Sequence, residues 1–214
     1  MSDTISARRH LDCRTAFALG EGATLGPRGS GLRLKTVERV DNVFALVLGE
    51  DRPAEPLELV RAEGRVPYDL IGTTYASLCL VSAKFQGVLK EHGFTGWTTF
   101  PVRIIDDDDG ALRGYEGLAV TGRCGAIDDS LSERITLPPP VVGGCEAAAL
   151  RGLCAPPDSW DGSDVFTAEG RADVFVVERV RDALEQAGVT NVKFSRLSEI
   201  ERMWKADGTL LEEL

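Results

Sequence analysis

Histidine is scarce in this chain, and no group of residues has the spacing of a metal site. The sequence contains only His10 and His92, together with five cysteines that form no CxxC pair. Neither histidine stands at zinc-ligand spacing from a cysteine, so the pattern does not indicate zinc. The odd cysteine count without a recurring spacing favours reduced thiols over a disulfide framework. We therefore expect no metal, no cofactor and no disulfide.

Long apolar runs are also missing. No stretch approaches the roughly 18 to 20 uninterrupted apolar residues that a membrane-spanning helix requires. The start of the chain, Met1 to Thr4, does not lead into the apolar segment of a signal peptide. With 43% hydrophobic and 27% charged residues, the composition is that of an ordinary packed protein. We expect a cytoplasmic protein that does not bind a membrane.

Positive charge is in the minority. The sequence has 34 acidic residues against 24 basic ones, which gives a formal net charge of −10. A negative field repels the phosphate backbone, so nucleic-acid binding is disfavoured. The same field accelerates the encounter with a basic protein. The charge therefore favours a protein partner, and a basic one in particular.

The sequence shows no recognisable catalytic constellation. Nucleophilic catalysis needs a serine or cysteine, a base and an orienting group, and two histidines offer little material for the base. The segment Gly20 to Gly26 does not match a dinucleotide-binding loop, because its last glycine is one position late and no predicted strand precedes it. We assign no catalytic residues. Carboxylates are abundant, so a small enzyme with an unrecognised carboxylate site stays an alternative.

Hydrophobic periodicity predicts an α+β fold with a mixed or antiparallel sheet. One amphipathic helix is predicted over 82–92, with Ser82 as its N-cap, and a second over 178–187. Each follows a short apolar strand and leads into another. Matched residues recur 95 positions apart, at Val81 and Val176, Phe85 and Val180, Leu89 and Leu184, Gly93 and Gly188, and Thr95 and Thr190. The chain is thus predicted to contain two similar strand-helix-strand units, too few for a repeat array.

Shorter segments are assigned from local patterns. Val43–Leu48 is a compact apolar run between an asparagine and a glycine, which indicates a buried strand. Ile200 and Met203 stand at helical spacing, which favours a short C-terminal helix over 198–204.

The domain organisation is predicted from where periodicity begins. Residues 1 to about 40 give no sustained period, and the informative pattern begins near residue 67. Residues 1–66 are therefore expected to form an N-terminal variable region that packs on a main α+β domain over 67–214. Within that domain the stretch between 138 and 157 is rich in proline and glycine and is typical of a functional loop.

A run of four aspartates, Asp106, Asp107, Asp108 and Asp109, precedes a glycine. It is partly in register with a calcium-binding loop, but the first ligand position would be an isoleucine, so a hairpin turn is favoured. Adjacent carboxylates repel one another, and a turn needs only one or two of them. We therefore predict that this run belongs to a partner-binding surface. The alternative is a patch that only keeps the protein soluble.

A second polar turn carries one of the three tryptophans. The predicted partner-binding surface also includes Asp158, Trp160, Asp161 and Asp164 from this turn. Tryptophan is enriched at binding hot spots, which makes Trp160 the candidate for an aromatic anchor. The alternative is that Trp160 only packs within the loop.

Several landmarks occur in a fixed order between residues 67 and 200. They are Val81-Ser82-Ala83-Lys84-Phe85, Gly93-Phe94-Thr95-Gly96-Trp97, Phe100-Pro101-Val102, Gly114-Tyr115, Val120-Thr121-Gly122, Ala126-Ile127-Asp128, Asp164-Val165-Phe166 and Phe175-Val176-Val177. In this order they resemble a family of immunity proteins from bacterial polymorphic toxin systems. The second helix departs from the family pattern, because Glu178-Arg179 stands where Ser-Glu is usual. Its capping is therefore expected to differ.

The resemblance implies a non-catalytic protein that neutralises one cognate toxin by stoichiometric binding. The partner is then a protein toxin, and the negative field favours a basic one. The first 66 residues carry little of the resemblance and are either the region matched to a particular toxin or merely packing. An adaptor or scaffold that binds no toxin is a further alternative.

Overall fold

The computed structural model describes residues 10–21, 31–105, 112–139, 143–144 and 146–203. The strands are β1 (Ala16–Glu21), β2 (Arg33–Thr36), β3 (Leu57–Glu63), β4 (Leu70–Gly72), β5 (Cys79–Ser82), β6 (Trp97–Phe100), β7 (Val102–Ile105), β8 (Tyr115–Val120), β9 (Gly122–Cys124), β10 (Glu133–Leu137), β11 (Ala147–Arg151), β12 (Val165–Ala168), β13 (Val174–Val177), β14 (Val192–Arg196) and β15 (Glu201–Met203). The helices are α1 (Val43–Val47), α2 (Ala83–Glu91) and α3 (Glu178–Gln186).

The strands form sheets of five, four, three and three members. Their orders are β14-β1-β13-β12-β9, β4-β5-β8-β6, β10-β11-β15 and β2-β3-β7. Among the described pairs only β9 with β12 and β3 with β7 run parallel. The predicted α+β class with mostly antiparallel sheets is confirmed. Strand β1, from the N-terminal part of the chain, lies between β13 and β14 and pairs antiparallel with both.

Helices α2 and α3 pack their apolar faces into one core cluster together with the five- and four-stranded sheets. Phe85 and Leu89 of α2 are buried there, as are Val180 and Leu184 of α3. Both helices lie within one residue of their predicted ends, because the apolar spacing of 3 to 4 residues marks the buried face directly.

The two helices begin differently. The Ser82 side chain accepts a hydrogen bond from the Phe85 amide at 3.1 Å, which caps α2 as predicted. Helix α3 follows Val177, whose side chain cannot cap, and no side-chain cap replaces it. Glu178 in the first turn places a negative charge at the positive end of the helix instead.

Two aspartates join the segments that carry these helices. The Asp69 carboxylate, just before β4, accepts hydrogen bonds from the Thr190 amide at 2.8 Å and the Thr190 hydroxyl at 2.9 Å. The Asp164 carboxylate, just before β12, accepts from the Thr95 amide at 2.9 Å and the Thr95 hydroxyl at 3.1 Å. Each aspartate thus fastens the strand of one segment to the turn that follows the helix of the other.

The residues after these threonines also correspond. Gly96 and Asn191 both have positive φ, 85° and 60°. A Cβ at Gly96 would lie 2.0 Å from the Val165 carbonyl oxygen, so this approach requires glycine. Asn191 tolerates the left-handed conformation and donates its side-chain amide to the Leu70 carbonyl at 2.8 Å.

The segment Val43–Val47 is a helix, and its prediction as a strand is wrong. The Asn42 side chain accepts a hydrogen bond from the Ala45 amide at 3.0 Å, and Gly49 has a φ of 68° after the last turn. The two residues interpreted as strand boundaries are therefore an N-cap and a C-terminal glycine. A six-residue apolar run fits either structure, and the caps decide between them.

The predicted C-terminal helix is also wrong within the described residues. After a single 3-10 turn at Leu197–Glu199, β15 pairs with β11. Extended backbone lets the buried Arg202 guanidinium reach Asp129 Oδ1 at 2.8 Å, Ser132 Oγ at 3.0 Å and the Gly152 carbonyl at 2.9 Å. Burying this cation requires those partners, which outweigh the helical spacing of two apolar residues.

Cys13 and Cys154 form a disulfide, which corrects the prediction of reduced thiols. Their Cα atoms are 5.4 Å apart, although 141 residues separate them in the chain. Odd cysteine count and irregular spacing carry no information about a pair that only the folded chain brings together. Cys79 and Cys124 are not disulfide-bonded, and Cys145 lies outside the described residues.

The Asp164–Thr95 contact is expected to stabilise the protein through coupled hydrogen bonds. Asp164→Asn and Thr95→Val should each lower the free energy of unfolding by about 1–3 kcal/mol. The double variant should lose less than the sum, with a coupling energy of about 1 kcal/mol in urea denaturation. As a control, Asp164→Asn combined with Thr190→Val, which share no described hydrogen bond, should be additive. Equal coupling in both cycles would contradict this role.

Asp69 is expected to make stability depend on acidic pH. Burial alone would raise the pKa of Asp69, but hydrogen bonds from Ser82 and Thr190 and the nearby Lys84 ammonium hold that pKa below its usual range. A lowered folded-state pKa stabilises the protein above the unfolded-state value, about 3.9, and this stabilisation is lost as the pH falls further.

Asp69→Asn should therefore flatten the decline of the unfolding free energy below about pH 4, measured by urea denaturation between pH 3 and 7. The exposed Asp41→Asn variant is the matched control and should keep the decline of the wild type. Parallel declines in wild type and Asp69→Asn would show that Asp69 does not carry the effect.

Candidate functional site

The polar turn from Asp158 to Asp164 is fixed against strand β9. The Asp161 amide donates to the Arg123 carbonyl at 3.0 Å, and the Arg123 amide donates to Asp161 Oδ2 at 2.8 Å. Ser159 Oγ accepts from the Gly125 amide at 2.9 Å. The turn therefore presents its outer side chains in a defined arrangement.

Close backbone approach at β9 depends on glycine. A Cβ at Gly122 would lie 2.2 Å from the Val165 carbonyl oxygen, and one at Gly125 would lie 2.8 Å from Ser159 Cβ. Any larger residue would push the turn away from the strand. The glycines are thus part of what holds the candidate site in place.

Asp158 and Asp161 are the two carboxylates that the turn presents to solvent. The Asp158 side chain is 73% exposed and pairs with His10 Nδ1 at 2.9 Å. Because both partners are exposed, this pair stabilises the fold by less than about 1 kcal/mol, and Asp158 stays available to a partner. Asp161 uses Oδ1 to accept from the Ser163 amide at 2.9 Å, so it both shapes the turn and adds charge to it.

Asp164 is in a different environment from the other acidic residues of the turn. Its side chain is only 3% exposed and accepts from Thr95 and from the Arg179 guanidinium. A partner has little access to this carboxylate. Asp164 therefore anchors the end of the turn and helps to position the exposed residues before it.

Trp160 lies half-buried between the turn and a second core cluster, which consists of Leu11, Ala16, Cys124, Leu153, Ala155, Phe166, Ala168, Phe175 and Leu197. Its ring centroid is 5.7 Å from that of Phe166, at an interplanar angle of 53°. The indole Nε1 is buried and has no hydrogen-bond partner among the described residues. The ring is thus held by packing, with a donor group that the fold does not satisfy.

Two basic residues that sequence reasoning missed border the turn. His10 contacts Asp158, and the Arg123 guanidinium donates to the carbonyls of Val120, Gly122 and Leu48. Arg123 also lies 3.8 Å from Glu50. Because its guanidinium donates hydrogen bonds to three backbone carbonyls, Arg123 holds these backbone segments in place. Neither role leaves a local pattern in the sequence that could have revealed it.

The acidic run Asp106 to Asp109 lies outside the described residues. Strand β7 ends at Ile105, immediately before it. Its part in a partner-binding surface stays a prediction.

The described residues offer little for catalysis or metal binding. They contain no group of three or more histidine, cysteine or acidic side chains placed to hold a metal ion. Burial, together with the nearby Asp161 carboxylate, raises the pKa of the Cys124 thiol to about 12. Cys124 is therefore protonated at neutral pH and is a poor nucleophile.

No helix in the described ranges has the length and apolar character needed to cross a bilayer.

A cavity of about 280 Å³ opens between the ends of β1, β4 and β13. Its polar lining includes Arg33, which donates from Nε to the Thr73 carbonyl at 2.9 Å, and Asp173, which pairs with Arg171. The cavity is smaller than a usual small-molecule site, and these polar groups already have partners within the protein. It does not have the features of an active site.

Comparison with known proteins identifies the family. The model of the Imm11 immunity protein family matches residues 12–199, most of the chain. The chain belongs to the Imm11 immunity protein family. A search of curated proteins returned no match.

The Imm11 match begins at residue 12 and so includes β1, β2, α1 and β3 as well as the segment that resembles immunity proteins in sequence. Both the cysteines of the disulfide and the turn from Asp158 to Asp164 fall inside it. Membership of an immunity family suggests a non-enzymatic inhibitor.

In this Imm11 protein, Trp160 is expected to contribute packing and no hydrogen bond. Trp160→Ala should lower the free energy of unfolding by about 3 kcal/mol, because it removes a large ring from the second core cluster. Trp160→Phe keeps most of the ring and removes the unpartnered N–H, so it should cost less than about 1 kcal/mol. Chemical denaturation distinguishes the two variants. A Phe variant as unstable as the Ala variant would show that Nε1 has a partner after all.

Proposed function

We propose that this protein binds one cognate bacterial toxin and neutralises it by stoichiometric occlusion, without turnover. Membership of the Imm11 family carries the proposal. The exposed carboxylates of a turn that is fixed on the sheet support it, because a rigid acidic surface suits recognition of a basic protein.

The proposed contact surface is the turn from Asp158 to Asp161 together with the acidic run Asp106 to Asp109. Asp158 and Asp161 face solvent, while Asp164 positions them from within. Trp160 adds an aromatic ring whose indole N–H lacks an acceptor within the protein. A toxin carbonyl or carboxylate that accepts this hydrogen bond would remove the cost of leaving it unmade.

Charge is proposed to act mainly on the rate of association. The net charge of −10 attracts a basic toxin over a distance of about one Debye length, roughly 10 Å at 0.1 M salt. Exposed charges at the rim of an interface change the association rate and its salt dependence more than the dissociation rate.

The N-terminal region up to residue 66 is proposed as the part that adapts the protein to its particular toxin. Three of the most exposed large hydrophobic side chains in the described chain, Val37, Phe44 and Val66, fall in this region. Exposed apolar side chains of this kind are typical of contact surfaces when they lie near one another. The same region contributes β1 to the five-stranded sheet, so it is also packed on the rest of the protein.

We further propose that residues 69–97 and 164–192 are copies of one structural unit. The reciprocal contacts of Asp69 with Thr190 and of Asp164 with Thr95 support this, because they recur at the same spacing of 95 residues as the matched apolar positions. In this arrangement the threonine of each copy donates hydrogen bonds to the aspartate of the other.

Co-expression tests the function directly. The toxic domain encoded by the neighbouring gene should stop growth when it is expressed alone and should be harmless when this protein is present. The two proteins should co-purify at a fixed ratio in size-exclusion chromatography. Rescue without a stable complex would favour an enzyme that detoxifies the product of the toxin, and absence of rescue would favour an adaptor.

The acidic surface is tested by charge variants measured by surface plasmon resonance between low and high salt. Changing Asp106, Asp107, Asp108 and Asp109 to Asn should slow association about tenfold at low salt and leave rates similar at high salt. The control changes four exposed acidic residues outside both proposed contact regions, Glu91, Glu146, Glu169 and Glu185, to Gln, which removes the same net charge. Equal slowing in both variants would contradict a local contact surface.

A further inference from the structure

The segment from His10 to Thr15 lies across the base of the proposed toxin-binding turn. We call residues 10–15 the N-terminal strap. The Leu11 amide donates to the Pro157 carbonyl at 3.3 Å, and His10 pairs with Asp158. The strap therefore touches both the backbone and an exposed carboxylate of the turn.

The noncovalent contacts of His10 and Leu11 with the turn are weak apart from the burial of one apolar side chain. Leu11 is buried in the second core cluster, whereas the His10 and Asp158 side chains are 64% and 73% exposed. A hydrogen bond of 3.3 Å and a contact between two exposed side chains hold the strap only weakly. The Cys13–Cys154 disulfide is therefore the main tether between the strap and the segment that leads into the turn.

The backbones around both cysteines are held independently of the bond between them. The Ser198 amide donates to the Cys13 carbonyl at 3.1 Å, and the Asp128 amide donates to the Cys154 carbonyl at 2.9 Å. Both cysteines are half-buried, so neither residue is enclosed in the core. Reduction therefore separates the sulfurs without dismantling the sheets on either side.

We propose that Cys13 and Cys154 form a redox modification site that takes low-molecular-weight disulfides and, when oxidised, holds the proposed toxin-binding turn in its binding arrangement. The toxin part of this statement rests on the proposed function. The structural part, a turn that is more ordered when the pair is oxidised, does not.

The reaction is a thiol–disulfide exchange. The thiolate of one cysteine attacks a sulfur of the small disulfide, which forms a mixed disulfide and releases one small thiolate. The second cysteine then attacks the protein sulfur of the mixed disulfide and releases the other. Two protein thiols are oxidised, the small disulfide is reduced to two thiols, and the two protons leave with them.

The structural part is tested on the full chain by hydrogen–deuterium exchange after equilibration with glutathione disulfide or with a dithiol reductant. Thiol titration under denaturing conditions should find two fewer thiols in the oxidised form. Amides in residues 154–164 should exchange about tenfold more slowly when the pair is oxidised, because a tether lowers the population of open states. Cys13→Ser should exchange like the reduced protein in both buffers, whereas Cys79→Ser should keep the redox difference.

Equal exchange in the two buffers, or equal thiol counts, would overturn the redox site. The functional part is then read from toxin dissociation, which should be about tenfold slower for the oxidised form because the turn is ordered beforehand. A redox difference in exchange without one in dissociation would overturn the claim that ordering the turn strengthens toxin binding, while leaving the redox site intact. Absence of any toxin binding in either form would instead count against the proposed function.

Discussion

The reciprocal contact between two aspartates and two threonines is the interaction on which the rest of the fold depends. Each carboxylate takes both hydrogen bonds that its threonine can donate, from the amide and the hydroxyl. A partly or fully buried carboxylate is costly unless such donors surround it. The residues just before β4 and β12 and the turns after α2 and α3 therefore reach their native positions only when both segments are folded. Folding of the core on which α2 and α3 pack is therefore cooperative.

The same constraint positions the turn that is proposed to contact the toxin. The turn that begins at Asp158 ends at Asp164, whose carboxylate accepts hydrogen bonds from Thr95 and Arg179. The middle of the turn is fixed to β9 through Asp161. Charge displayed on a turn that is fixed at its middle and its end keeps its geometry without a partner. An inhibitor gains affinity in this way, since less conformational entropy is lost on binding.

Sequence reasoning predicted those parts of the fold that are specified locally. Helices α2 and α3 follow from the spacing of Phe85 and Leu89 and of Val180 and Leu184, and the Ser82 cap follows from its side chain. The run at Val43 was misassigned because six apolar residues fit a strand or a helix, and the capping role of Asn42 decides the matter. Cys13 with Cys154, and Asp164 with Thr95, are long-range pairs. Nothing near either residue in the sequence reveals its partner, so Asp164 was predicted to be a surface residue, whereas its side chain is 3% exposed.

The position of β1 has a consequence for how the protein is made. This strand leaves the ribosome early, yet both of its neighbours, β13 and β14, are among the last strands to be synthesised. Until translation passes Val177, neither edge of β1 can be paired, and the edge that pairs with β14 stays open until Arg196 has been made. Such a segment is prone to aggregate or to bind chaperones. The five-stranded sheet can therefore close only after β14 has been synthesised, and a product cut short before β13 would be recognised by the cell as unfolded.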